Sequence, residues 1–276
     1  MTSAGSGDYS VHCYDLAQDK WTTLPPLPVR CFGLGQVNSK LVAVGGKNSE
    51  REPTNKVYMY DERSRKWKLT IPTMPTARDF PNVLSLQSAL IVAGGYTGLS
   101  YIAAVEIFKA DTSQWYRTDQ LPTACQDIPL LPIGNTCYAL GGYKNPSYLN
   151  QALDASVDDL LRTAASANQT THSGSSDTQS AWKTLPNTPT YRPVAAVLAG
   201  KLLSIGGWKT SEGGAAKREV YMYSPSTSSW IYISDLPAPR SETVVAVLSS
   251  TEILVTGGWV DGGRVNTVYK GILTLS

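Results

Sequence analysis

Residues 40–48, KLVAVGGKN, carry the decisive pattern: a short apolar run that ends at Gly45-Gly46. Four other stretches copy it, namely LIVAGG ending at Gly94-Gly95, CYALGG at Gly141-Gly142, LLSIGG at Gly206-Gly207 and ILVTGG at Gly257-Gly258. From first glycine to first glycine the steps are 49, 47, 65 and 51 residues, a period that marks arrays of repeated supersecondary units. Each run has the length of a strand, and a glycine pair permits the positive φ with which the chain leaves it.

A second series keeps time with the first: Trp21, Trp67, Trp115, Trp182 and Trp230. Seven residues before four of them stands another aromatic, Tyr14, Tyr60, Phe108 or Tyr223, and a Leu-Pro or Ile-Pro turn follows soon after each tryptophan. This unit of apolar run, Gly-Gly, variable loop, tyrosine, tryptophan and Leu-Pro resembles the kelch repeat, and the resemblance covers nearly the whole chain. The residues of one unit read as four short strands, in the first complete unit 31–38, 40–44, 56–61 and 66–71. Such a sheet is too small to bury its faces alone, and stacking the sheets as blades is the solution that does. The expected fold class is therefore all-β, a kelch-type β-propeller that takes residues 1–276 as one domain. In it the ten paired glycines and the five tryptophans are structural, the indoles joining blade to blade.

The strand inventory is two at the front, four full units and three at the back. It supplies either five closable blades or an incomplete six-bladed ring, with the opening MTSAGSG read as flexible. The third unit departs from the pattern, since Trp182 stands 40 residues after Gly142 where the sister units need 20 to 23. The excess, 156–180, opens with VDDLLRTAA, enough for a turn or two of helix, and runs into a Ser, Thr, Gln and Asn tract too polar to offset its ordering entropy. It is expected to be a flexible insert between the third and fourth strands.

Composition narrows the function classes. With 24 basic and 22 acidic residues the net charge is +2, which gives no electrostatic case for a nucleic-acid or membrane partner. Four cysteines without paired spacing and the absence of an apolar leader point to the cytoplasm. Cys13 and Cys137 fall in strands as buried thiols, whereas Cys31 and Cys125 fall in loops and are expected to be more exposed. The two histidines, His12 and His172, cannot assemble a metal cluster or a catalytic triad, so no metal, cofactor or catalytic residue is expected. Kelch-type sugar oxidases hold copper with several histidines. The remaining enzymatic alternative is a sugar-processing protein resembling a sialic-acid epimerase, which would draw on Glu50, Asp79, Asp127, Glu242 and Asp261 together with arginines.

The binding case is stronger. A propeller brings the loops after Gly-Gly and the loops that enter each first strand to one face. The first set carries Lys47, Tyr96, Tyr143, Trp208 and Trp259, and the second carries Arg30, Arg78, Arg192 and Arg240, with Cys125 at the remaining entrance. Aromatics and guanidiniums are the residue types enriched at binding hot spots, so these nine positions are expected to contact a protein or peptide partner. The resemblance implies an adaptor or scaffold, as in cullin ubiquitin ligases or cytoskeletal assemblies, although no BTB or BACK segment lies in this sequence.

Overall fold

A computed structural model describes residues 2–4, 9–15, 17–166, 180–260 and 262–274. Asp261, His172 and the polar tract 167–179 lie outside the described residues. The chain forms two compact units, one built from residues up to Asp127 plus Asp158–Ala181, the other from Ile128–Val157 plus Trp182 onward.

In the first unit, strands β1 (Thr2–Ala4), β2 (Val11–Asp15) and β3 (Lys20–Leu24) make a three-stranded antiparallel sheet. Two complete four-stranded sheets follow, β4 (Gly33–Val37) to β7 (Lys66–Lys68) through β5 (Lys40–Val44) and β6 (Val57–Asp61), and β8 (Asn82–Ser85) to β11 (Gln114–Thr118) through β9 (Ala89–Ala93) and β10 (Val105–Lys109). The second unit holds two more complete sheets. One comprises β12 (Leu130–Ile133), β13 (Thr136–Leu140), the small hairpin β14 (Tyr143–Lys144) and β15 (Ser147–Tyr148) as an excursion, β16 (Ala152–Ser156) and β17 (Lys183–Leu185); helix α1 (Val157–Ser166), which stands between the last two in the chain, belongs from Asp158 onward to the first unit. The other is β18 (Val194–Leu198), β19 (Lys201–Ile205), the hairpin β20 (Trp208–Thr210) and β21 (Gly213–Ala216), β22 (Glu219–Ser224) and β23 (Ser229–Asp235). A three-stranded sheet ends the chain, β24 (Val244–Val247), β25 (Glu252–Thr256) and β28 (Val268–Ile272), with the hairpin β26 (Trp259–Val260) and β27 (Gly263–Arg264) as its excursion.

Each sheet is one up-and-down blade, and the fold is the β-propeller that the repeat implies. One strand was not legible. Thr2–Ala4 pairs with β2 in the register that Val42–Val44 uses on β6, so the opening read as flexible supplies a second-position strand.

The faces are buried against neighbouring sheets within each unit. Val42, Val44 and Val57 of the second sheet, with Met74 of the turn that follows it, meet Leu90, Val92 and Phe108 of the third. Leu203, Ile205 and Val220 of the fifth meet Ile253 and Val255 of the last. The tryptophan series turns out to act with the Leu-Pro turns in one contact. The indole N–H of Trp67 donates to the Pro25 carbonyl at 2.8 Å, that of Trp115 to Pro72 at 2.7 Å and that of Trp230 to Pro186 at 2.8 Å. Each proline belongs to the turn of the preceding sheet, so ring area and a satisfied donor join the blades together. Directly across the strand pair, Tyr60, Phe108 and Tyr223 pack on the same rings at 5.2–5.4 Å between centroids. Trp21 departs from the expected core role: on the first sheet it is 45 % exposed.

The expected flexible insert does not begin at 156. Residues 157–166 form α1, whose Val157, Leu160 and Ala164 are buried. Asp158 and Asp159 occupy its first turn, where the helix dipole favours them. Within the first unit, to which 158–166 belong, Thr118 and Lys109 donate to the carbonyls of Leu160 and Leu161 at 2.9 and 3.0 Å. The apolar spacing within VDDLLRTAA was thus a packing face. Leu160→Ala should cost about 2–5 kcal/mol of stability in denaturant unfolding, as a fully buried truncation does.

All five doublets have the same backbone, a first glycine near φ +60° and a second near φ +100°. At Gly207, φ is +102° and a Cβ would lie 2.6 Å from the Tyr191 carbonyl oxygen. Gly134, at φ +57°, has open space around it. Gly207→Ala should therefore lower stability by more than about 2 kcal/mol, while Gly134→Ala should cost only about 1 kcal/mol, both read from thermal or urea unfolding.

Candidate functional site

After four of the five doublets the residue that follows forms an antiparallel bridge with the residue entering the first strand of the same blade. The bridged pairs are Lys47 with Arg30, Tyr96 with Asp79, Trp208 with Tyr191 and Trp259 with Ser241. Each is closed by two backbone hydrogen bonds of 2.7–3.0 Å. The two loop sets named from the sequence are therefore paired backbone to backbone, but the four arginines stand at three different registers. Arg30 is at the bridge, Arg78 and Arg240 are one residue before it, and Arg192 is one residue after it. Because side-chain direction alternates along an extended chain, a one-residue shift redirects the guanidinium.

The consequence is a correction at three of the nine positions. Arg78 is fully buried, donating to the carbonyls of Gly94 and Ala104 at 2.8 and 2.9 Å and lying 2.9 Å from the Glu106 carboxylate. Arg240 is 3 % exposed and donates to Pro239 O, Thr267 Oγ1 and the Tyr269 hydroxyl while lying over the Tyr269 ring. Trp208 is also buried, stacked on Tyr148 at 5.5 Å. These three hold the scaffold and present little surface to a ligand: the two guanidiniums are kept from water by their polar partners and the indole by its stacking on Tyr148. Cys125, expected to be more exposed, is buried as well, and its carbonyl accepts from Gly95 N at 2.9 Å.

The other six named positions keep access to solvent, in two groups. In the first unit Arg30 and Tyr96 are half-buried, Tyr96 packs on Tyr101 at 5.1 Å, and Lys47 pairs with Asp79 at 2.7 Å and lies over the Phe80 ring. In the second unit Arg192 lies over both Tyr143 and Tyr148, at 5.8 and 5.6 Å, and its Nη1 meets Glu242 at 2.6 Å. Tyr143 and Tyr148 pack at 5.2 Å across the β14–β15 hairpin. Trp259, on the β26–β27 hairpin, is 38 % exposed.

Some residues of these groups escaped the sequence reading. Tyr101 and Tyr148 each stand five positions after a named tyrosine, and that repeated spacing was the available signal. A second set is visible only in backbone angles. Cys31, Phe80, Asp127, Arg192 and Glu242, one at each first-strand entrance, have φ between +45° and +55°. A non-glycine residue held there by its surroundings in five blades is a built position.

Reactive chemistry is sparse. Burial pushes the Cys137 thiol up to about 12, and burial followed by the Asp79 charge also raises Cys31. Among the described residues no three His, Cys, Asp or Glu side chains converge to hold a metal ion, and no helix is long and apolar enough to cross a membrane.

Comparison with known proteins agrees with this geometry. The kelch motif model matches residues 28–74 and 189–237. Kelch-like protein 40 of Mus musculus is 29 % identical over 136 residues, which is 49 % of this chain and 22 % of the relative. Kelch-like protein 41 of Rattus norvegicus is 31 % identical over 182 residues, covering 47 % of this chain and 30 % of the relative. The chain thus spans less than a third of the length of these curated relatives. The two matched segments coincide with two of the four-stranded sheets, β4–β7 and β18–β23, so kelch motifs lie on blades of this β-propeller.

Asp79 allows a test of the site's electrostatics. Its side chain is fully buried, and burial raises its pKa even though Lys47 opposes the shift. A carboxyl whose folded-state pKa is raised contributes stability that is present in full below its unfolded value, about 4, and is lost as pH rises through the folded value. The stability of the parent relative to Asp79→Asn should therefore be greatest in the acid range and fall as pH rises toward neutrality. A difference in melting temperature that stays constant across that range would show that Asp79 does not titrate as argued.

Proposed function

We propose that the chain is a non-catalytic protein-binding module, an adaptor or scaffold that engages a protein or peptide through the loops following its Gly-Gly doublets. The observation that carries this reading is the second-unit group, in which a partly exposed guanidinium rests over Tyr143 and Tyr148 on rigid β-hairpins, with Trp259 on another hairpin of that unit. Rigid aromatic anchors lose little entropy on binding, and an arginine among them adds directional pairing with carboxylate or phosphate. Arg30, Lys47 and Tyr96 contribute the corresponding contacts of the first unit. Arg78, Arg240 and Trp208 support these surfaces from below. A cytoplasmic setting accords with four cysteines of which none forms a disulfide.

The test is a displayed library of acidic, phosphorylated, basic and neutral peptides, screened against the folded chain. Binders are expected among the acidic and phosphorylated members. Tyr143→Ala combined with Trp259→Ala should weaken them by about 30-fold or more, the equivalent of about 2 kcal/mol. Trp259→Ala alone should change stability by less than about 1 kcal/mol, whereas Trp208→Ala should cost about 3–5 kcal/mol. Turnover of a sugar panel by the purified chain, or a double variant that binds its peptides as well as the parent does, would refute the reading.

A further inference from the structure

Four turns joining third to fourth blade strands, 15–20, 61–66, 109–114 and 224–229, match at their first, fifth and last residues. In each, the fifth residue is left-handed: Asp19 at φ 50°, Arg65 at 51°, Ser113 at 53° and Ser228 at 48°. The first and last residues pair across the strands, Asp15 with Lys20, Asp61 with Lys66, Lys109 with Gln114 and Ser224 with Ser229. What differs is the group that ties the turn together.

In two of the turns the first residue is an aspartate whose carboxylate caps the path. Asp15 Oδ1 accepts from the backbone N–H of Ala17 and Gln18 at 2.9 and 3.1 Å. Asp61 Oδ1 accepts from Arg63 and Ser64 N–H at 3.0 and 3.4 Å, while its Oδ2 accepts from the Ser64 hydroxyl at 2.9 Å. In the turn of the fifth blade the same place holds Ser224, followed by Pro225, and the cap is made of hydroxyls alone. Thr227 Oγ1 donates to Ser224 Oγ at 2.8 Å, Ser226 Oγ lies 3.2 Å from Ser224 Oγ, and Thr227 Oγ1 meets Ser229 Oγ at 2.8 Å. Pro225 to Ser228 are exposed. No carboxylate occupies the place where two sister turns put one, and the hydroxyl there precedes a proline on an open turn.

We propose that Ser224 is a phosphorylation site for a proline-directed protein kinase, its phosphate standing where the sister turns carry an aspartate. Ser224 Oγ attacks the γ-phosphorus of a nucleoside triphosphate, the O–P bond forms as the bond to the nucleoside diphosphate breaks, and the hydroxyl proton passes to the kinase base. The product adds about two negative charges and three acceptor oxygens to a turn that has no side-chain charge of its own. Those oxygens take the N–H groups of Ser226 and Thr227 and the neighbouring hydroxyls, reproducing the aspartate cap with charge-assisted bonds. Ser224 ends β22, whose other end, Glu219, accepts from Gly206 N at 3.0 Å, so the modification lies at the strand end away from the Gly-Gly loops. It is independent of peptide binding at those loops.

The experiment incubates the full folded chain with ATP and a proline-directed serine/threonine kinase, maps phosphate by mass spectrometry, and follows amide hydrogen exchange. One phosphate is expected on Ser224, absent from Ser224→Ala, and exchange at the Ser226 and Thr227 amides should slow about fivefold in both the phosphorylated chain and Ser224→Asp. Failure of the kinase to modify the folded chain while it modifies a 219–230 peptide would overturn the site. Phosphate on Ser224 that leaves those two amides exchanging as before would overturn the role assigned to it.

Discussion

The Gly-Gly doublets bring backbone against backbone, and the loops of the candidate site are placed by that contact. In three doublets the second glycine donates its N–H to the chain entering the next blade: Gly46 to Arg78 O and Gly95 to Cys125 O, both at 2.9 Å, and Gly207 to Arg240 O at 2.8 Å. The residue that follows then pairs with the entrance of its own blade. One dipeptide therefore connects a strand end, its own blade's entrance and the following blade's entrance. At Gly46 a Cβ would lie 2.6 Å from Arg30 O, which is why the second place tolerates no side chain. A left-handed conformation alone would have admitted asparagine.

Buried ionic groups reinforce that connection from beneath. Arg78 ties the Gly94 carbonyl to Glu106 on β10, which also accepts from the Thr76 hydroxyl at 2.6 Å. In the fifth blade the task of holding the first-glycine carbonyl falls to Thr190, whose Oγ1 donates to Gly206 O at 2.5 Å. The two solutions differ in charge and share an acceptor. A carbonyl at the end of an apolar run must find a donor once buried, and either a guanidinium or a hydroxyl supplies it. Arginine near a blade entrance is thus no evidence by itself of a binding surface.

Periodicity made the scaffold legible. The glycine pairs, the tryptophans and the Leu-Pro turns recur at steps too regular for chance, and the structure joins two of these markers through the indole-to-proline hydrogen bonds. The site was legible only in outline, because it depends on register to a single residue. Arg78 and Arg192 look alike as arginines near a turn, yet one precedes the backbone bridge and is buried while the other follows it and lies over two tyrosine rings. The helix at 157–166 was legible as a turn or two within VDDLLRTAA, but its full length and its packing were not. Its three buried residues, Val157, Leu160 and Ala164, give a weak apolar face at the head of a long polar tract, and its packing partners Thr118 and Lys109 lie about forty to fifty residues earlier.

The left-handed entrance residues separate what the fold demands from what it leaves open. Their backbone is alike in five blades, with φ confined to a span of about ten degrees, while their side chains are a thiol, a phenyl ring, a carboxylate, a guanidinium and a second carboxylate. A conformation that disfavours branched and bulky residues is retained here for phenylalanine as readily as for aspartate, so the paired strands and bridges around it, and not the residue, must enforce it. Where the surroundings fix the backbone, the side chain can change in size and charge without moving the strand that follows. The interaction of Arg192 with Glu242, each the left-handed residue of its own entrance, shows what such freedom permits: two positions equivalent in backbone become partners through side chains of opposite charge at 2.6 Å.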